Sequence, residues 1–173
     1  MKKILKEIRD LAIPIIFVLI IQNFVITHAK VPTGSMIPTI NIGDHLVVNS
    51  LPTYYRTPER GEVITFKQEG ITLIKRVIAV GGDEINLIDG YVYINDQKID
   101  ESKYLNKLGI TYELNSEMQY PYIIPANCYF VMGDNRGNSS DSRVFGVIKE
   151  KDIRTIGALK IYPFNHIEIL DWY

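Results

Sequence analysis

The chain has 173 residues, 46% hydrophobic and 23% charged, and nineteen basic residues nearly balance twenty acidic ones for a net charge of −1. This suits one compact unit of about 100–200 residues with an appendage, and argues against a disordered or collagen-like chain. The near-neutral balance gives no basic field to neutralise a phosphate backbone, which argues against a nucleic acid partner. The single cysteine, Cys128, excludes an internal disulfide framework and a multi-cysteine metal site.

From Leu11 to Thr27 the sequence carries no charge, whereas the ten residues before it hold Lys2, Lys3, Lys6 and Arg9. As a helix this run rises about 26 Å, near the lower limit for crossing a hydrocarbon core of about 30 Å. Residues 11–27 are therefore expected to form a transmembrane anchor, with residues 1–10 cytoplasmic by the positive-inside rule and the rest of the chain outside. A cleavable secretory signal is the competing reading, since Thr27-His28-Ala29 loosely resembles a small-x-small cleavage site. Its apolar region would normally be shorter, about 7–15 residues.

Beyond residue 28, short β-branched or alternating runs are punctuated by Gly, Pro, Asn and Asp, which predicts a mainly β fold. Strands are expected at His45–Asn49, Glu62–Lys67, Ile71–Val80, Glu84–Ile88, Tyr91–Ile94, Cys128–Met132 and Ala158–Tyr162. Asp89-Gly90 is a two-residue hairpin signal. Only the N-terminal segment and Asp152–Gly157 have helical character. Residues 82–125 are more polar and tyrosine-rich, with a loop over Glu101–Tyr122, and read as a small inserted subdomain. It separates residues 28–81 from 126–173, which read as the two parts of one β domain.

Three segments carry chemistry. In Val31-Pro32-Thr33-Gly34-Ser35-Met36-Ile37-Pro38-Thr39, a serine follows glycine in a backbone constrained by proline on both sides. That arrangement suits a nucleophile whose own N–H meets a developing oxyanion, although Gly-Ser between prolines is also an ordinary turn. His28, His45 and His166 lie in no triad-like motif, and a deprotonated lysine can replace histidine as the base. Ile71–Val80 is an apolar strand with Lys75 and Arg76 at its centre. Alternation points one of them inward, and if that one is Lys75 its burial lowers its pKa, while two solvated charges at a strand edge are the plainer reading of the pair. The need is clear, because an unperturbed lysine is only about 0.4% neutral at pH 8. The third segment, Gly133 to Arg143, is dense in polar groups. If extended, it places Ser139, Asp141 and Arg143 on one face, where Asp141 and Arg143 can form a charge-assisted bond and Ser139 can hold a lysine amine. The same segment also reads as an Asn/Asp/Gly loop or a calcium turn, with Arg136 and Arg143 diluting the anionic ligands.

In this order, behind an N-terminal anchor, the three segments closely resemble those of the bacterial type I signal peptidases. Gly34-Ser35-Met36-Ile37-Pro38-Thr39 is similar to the nucleophile box. Lys75-Arg76-Val77-Ile78 with Gly81-Gly82-Asp83 is similar to the base box, and Gly133-Asp134-Asn135-Arg136 through Ser139, Asp141, Ser142 and Arg143 to the third. The resemblance implies an antiparallel β-rich catalytic core with a small inserted subdomain, preceded by one N-terminal transmembrane helix. It further implies a membrane-bound serine endopeptidase that removes signal peptides from exported preproteins, with Ser35 as nucleophile and Lys75 as general base. Ser139 would orient the amine, Asp141 and Arg143 brace the site, and Thr33 serve as an oxyanion donor.

The substrate is expected to add as a strand between the segment leading to Ser35 and the strand ending at Lys75. Val31, Pro32, Met36, Ile40, Leu73 and Ile74 are the candidates for shallow apolar pockets taking small residues at alternate positions. No cofactor or metal is implied. The implied partners are preprotein signal peptides and membrane lipid, with the secretion translocon nearby. The implied location is the cell membrane, crossed once, with the catalytic domain extracytoplasmic. Two other readings remain: a cytoplasmic self-cleaving serine/lysine protease of the repressor type, and a membrane-tethered binding protein with a degenerate peptidase fold. Cys128 opens an apolar run and reads as a core residue.

Overall fold

The computed structural model describes residues 2–24, 26–105, 110–114 and 118–170. The N-terminal segment forms one helix, α1 (Lys2–Phe24), with Pro14 inside it. It ends short of the anchor expected over 11–27, because Ile26–Lys30 is already strand β1 and Thr27 belongs to a sheet. The fourteen uncharged residues from Leu11 to Phe24 rise about 21 Å, less than a hydrocarbon core of about 30 Å. Among the described residues, no helix is long and apolar enough to cross a membrane. Leu11, Ile13, Ile16 and Phe17 of α1 are nevertheless exposed.

The strands after β1 are, in chain order, β2 (His45–Asn49), β3 (Val63–Gln68), β4 (Ile71–Val80), β5 (Glu84–Ile88), β6 (Tyr91–Ile94) and β7 (Gln97–Lys98). They continue with β8 (Tyr122–Ile123), β9 (Cys128–Met132), β10 (Ile148–Lys149), β11 (Ile153–Ile156), β12 (Ala158–Tyr162) and β13 (Glu168–Ile169). A one-turn helix, α2 (Ser142–Phe145), follows β9. The sheets run β1-β2-β12-β13, β10-β9-β4-β3-β11 and β7-β6-β5-β8. Every pairing in them is antiparallel, so the fold is mainly β as the alternation predicts. The helical reading of Asp152–Gly157 is wrong: β-branched Ile153, Thr155 and Ile156 pair with β3 and are buried, so tertiary pairing overrides the weak local signal. Asp89 (φ 51°) and Gly90 (φ 82°) make the tight turn between β5 and β6. The loop expected over Glu101–Tyr122 is irregular up to β8 where it is described, and 106–109 and 115–117 lie outside the described residues.

The five-stranded sheet is covered on both faces. Val63 of β3 joins a cluster with Val31, Met36, Ile40, Leu46 and Val48. Its neighbours Ile64 and Phe66 point to the other face, with Val77, Tyr129 and Val131. The third sheet shares its core with the second, Ile85, Val92 and Ile94 packing on Ile78, Phe130 and Met132. Two of the unpaired strand edges among the described residues flank the Ser35 segment and β4. β1 is the outer strand of its sheet, and β9 covers β4 only from Arg76 onward, so the β9-side edge of Ile71–Ile74 is unpaired among the described residues.

Candidate active site

Ser35 sits in the turn that follows Gly34, and Met36 and Ile40 anchor this segment by burying completely among the residues of the first two sheets. Lys75 comes from the middle of β4, the central strand of its sheet. Its Nζ lies 2.8 Å from Ser35 Oγ and 3.0 Å from the carbonyl oxygen of Ile74, which accepts from it. Both side chains are buried, Lys75 at 3% exposure. Desolvation lowers the Lys75 pKa from its ordinary value, and the negative charges of Asp141 and Asp134 oppose that shift without cancelling it. Burial works against the ammonium form of Lys75, and its amine lies within hydrogen-bond distance of the Ser35 hydroxyl.

Alternation predicts one buried cation out of Lys75 and Arg76, yet both are buried because β4 is packed on both faces. Arg76 makes a bidentate pair with Asp134, Nε to Oδ1 at 2.9 Å and Nη2 to Oδ2 at 2.7 Å, and its Nη1 donates to the carbonyl of Gly61. Thr39 Oγ1 donates to Asp134 at 2.6 Å, so the base strand, the nucleophile segment and the third segment meet at one carboxylate. Tyr104 stacks its ring under the Arg76 guanidinium, 4.3 Å from the centroid.

The third segment is a turn followed by a helix, not an extended run. Asp141 caps α2 and accepts from the N–H of Arg143, while its carboxylate pairs with the Arg143 guanidinium at 2.9 and 2.8 Å. The N–H of Gly133 also donates to Asp141. Ser139 and Asp141 therefore do not share a strand face. Ser139 Oγ, expected to hold the Lys75 amine, is buried with no hydrogen-bond partner among the described residues. It lies beside the dyad all the same, since a side chain at Gly133 would collide with Ser139 Oγ and the Ser35 carbonyl, and only glycine permits that approach.

Asn135 and Arg136, to which the sequence motif assigns no role, tie the third segment to distant parts of the chain. The N–H of Asn135 donates to the Ser35 carbonyl at 3.0 Å, and its Nδ2 to the Gly34 carbonyl at 2.9 Å. Arg136 donates to the carbonyl of Gly133, to Thr111 and, through both terminal nitrogens, to Glu101. Its own carbonyl accepts from Arg143. The density of polar residues signalled a structured loop, but its partners are far away in sequence and gave no local signal.

The expected pocket residues divide. Met36 and Ile40, at 0% exposure, are core and present no surface to a ligand. Val31 is also buried in that cluster, Ile74 is partly buried against it, and Leu73 packs on the opposite face among Val77 and Tyr129. Pro32 and Thr33 are exposed two to three residues before Ser35. Cys128 is buried, in a cluster with Phe130 and Met132.

The model of the signal peptidase family, peptidase S26, matches residues 4–162. The chain is 34% identical over 166 residues to inactive signal peptidase IA of Staphylococcus aureus, covering 95% of each chain. It is 32% identical over 173 residues to signal peptidase I S of Bacillus subtilis, covering 96% of this chain and 93% of that one. The crystal structure of a signal peptidase I from Enterococcus faecalis superposes with a TM-score of 0.50 at 29% identity, over 58% of this chain and 97% of that one.

Proposed function

The chain belongs to the signal peptidase S26 family, and on that premise we propose that it is an active membrane-bound serine endopeptidase removing N-terminal signal peptides from exported preproteins. The observation that carries the reading is the 2.8 Å contact between Ser35 Oγ and a buried Lys75 amine of lowered pKa. The Staphylococcus aureus relative is named inactive, which makes a non-catalytic member of the family the alternative reading for this chain. Against it, this chain holds both reactive groups in hydrogen-bond contact.

In the first step neutral Lys75 takes the Ser35 proton as Oγ attacks the carbonyl before the scissile bond. The Ser35 N–H and the Thr33 hydroxyl are the donors proposed for the oxyanion. The lysine ammonium returns the proton to the leaving amine, giving an acyl-serine and the released mature chain. Lys75 then deprotonates a water that attacks the ester, and Ser35 recovers its proton. Asp141 with Arg143, and Asp134 with Arg76, hold the loop and strand that carry this geometry, and Ser139 is assigned to steady the amine by a small rotation of its unpartnered hydroxyl. The substrate enters between the two open edges, β1 on one side and Ile71–Ile74 on the other, as an added strand. Pro32, exposed shortly before Ser35, and Ile74, partly buried on the open stretch of β4, are the pocket candidates beside those edges.

Membrane attachment belongs to the same proposal. Leu11, Ile13, Ile16 and Phe17 of α1 are exposed and offer an apolar surface to lipid, and Lys2, Lys3, Lys6 and Arg9 are assigned to the cytoplasmic face. A hydrophobic stretch of about 21 Å is accommodated by local thinning and by long basic side chains reaching the interface. The catalytic domain then faces outward, close to the translocon. The test uses the full chain in detergent with a preprotein. Wild-type protein is expected to release the mature chain with an acyl-serine intermediate, and Ser35→Ala to lose cleavage by at least about 10⁴-fold with unchanged melting. No cleavage by wild type would sink the proposal and favour the non-catalytic alternative.

A further inference from the structure

A cavity of about 1050 Å³ lies away from the dyad, which is not among its lining residues. Thr27 and Ala29 of β1 and Thr72 of β4 line it, so both open edges of the cleft lead into it. Lys149, Lys151 and Arg154 stand on its far wall, all exposed and in no ion pair among the described residues. Arg154 sits where the β3–β11 register slips between Ile153 and Thr155, a bulge of the kind that re-aims a side chain. Arg56 also lines the cavity, neutralised by Glu62 at 2.7 Å, and Glu150 is its one acidic lining residue. The wall is therefore cationic, in a chain whose net charge is −1.

We propose that this cavity is an upstream specificity subsite, in which the cationic wall selects against basic and for acidic residues in the signal segment roughly five to seven residues before the scissile bond. The inference rests on the peptidase reading above, which fixes the direction of the substrate. Its apolar part must share the membrane end of the molecule with α1, which joins β1 at the Thr27 end, and the scissile bond must reach Ser35. A strand parallel to β1 then passes Val31, Ala29 and Thr27 at successive alternate positions as it leaves the dyad. The residues level with Ala29 and Thr27 are the ones that face the cations. A charge there is felt as a field, because the wall offers exposed amines and a guanidinium without a buried partner.

The test compares peptides that differ only at the fifth residue before the scissile bond, the one level with Ala29, as aspartate, asparagine or lysine, using the full chain in neutral detergent. At about 0.05 M salt the aspartate peptide is expected to show kcat/KM about fivefold above the lysine peptide. At about 0.5 M, where the screening length is about 4 Å, the ratio should fall below about twofold. The variant Lys149→Glu/Lys151→Glu/Arg154→Glu should reverse the preference and keep its rate on the asparagine peptide. Should it fold poorly, Lys151→Glu alone should halve the ratio, and the salt dependence of wild type stands by itself. A ratio that is the same in wild type and variant and insensitive to salt overturns the subsite. So does a variant that loses only its binding to phosphatidylglycerol vesicles, which would make the wall a lipid contact. If wild type leaves even the asparagine peptide intact, the peptidase reading fails, and the subsite falls with it.

Discussion

Replacing Lys75 by methionine separates the chemistry of the dyad from its cost to folding. Methionine fills nearly the same volume and carries no charge, so the packing of β4 is retained while the base is removed. Cleavage should fall by about 10⁴-fold or more, as when one member of a nucleophile–base unit is lost. Stability should move in the opposite sense near neutral pH. The folded protein lowers the Lys75 pKa, chiefly by desolvation, so between that lowered value and about 10.4 the unfolded chain binds more protons than the native one. The destabilisation from the buried ammonium is full below the folded pKa and disappears as pH rises toward the unfolded one. Unfolding free energy of wild type should therefore climb with pH across this window, by at most about 1.4 kcal/mol per pH unit for one proton. Lys75→Met should lack that component. Urea unfolding of both proteins between about pH 7 and 10, with cleavage assayed in parallel, reads both effects. Equal slopes in the two proteins would refute the desolvated amine, and residual wild-type cleavage would refute its role as base.

Asp134→Ala leaves the 4%-exposed Arg76 side chain without its bidentate partner, and should cost about 3–5 kcal/mol in denaturant unfolding. Met36→Ala should cost about 2–5 kcal/mol with little change in which residue is accepted before the scissile bond, since this side chain is core; a changed specificity at full stability would restore it to the pocket. Asn135→Ala removes the Nδ2 bond to the Gly34 carbonyl and should lower kcat about three- to tenfold with KM nearly unchanged, as measured by steady-state cleavage, because the nucleophile loop loses a tether and the substrate loses no contact.

The cis-acting information in the sequence was sufficient for the mainly β class, since alternation and turn residues are local and the runs at His45–Asn49 and Ile71–Val80 coincide with β2 and β4. The three motifs likewise marked Ser35 and Lys75 before any fold was visible, because a nucleophile and a base are legible as residue types in constrained backbones. Contacts across long separations were decided only by the tertiary structure. Ser35 and Lys75 are 40 residues apart, and the Asn135 tether to Gly34 spans 101. Burial on both faces of β4 placed Arg76 inside as well as Lys75, which a one-sided strand pattern does not predict. The same layering turned Met36 and Ile40 from pocket into core, and pairing with β3 turned Asp152–Gly157 from helix into β11. Length and charge balance identified residues 11–27 as the chain's apolar exception. Sheet pairing ended the helix at Phe24, because backbone hydrogen bonds to β2 outweigh helical propensity once a partner strand is in place.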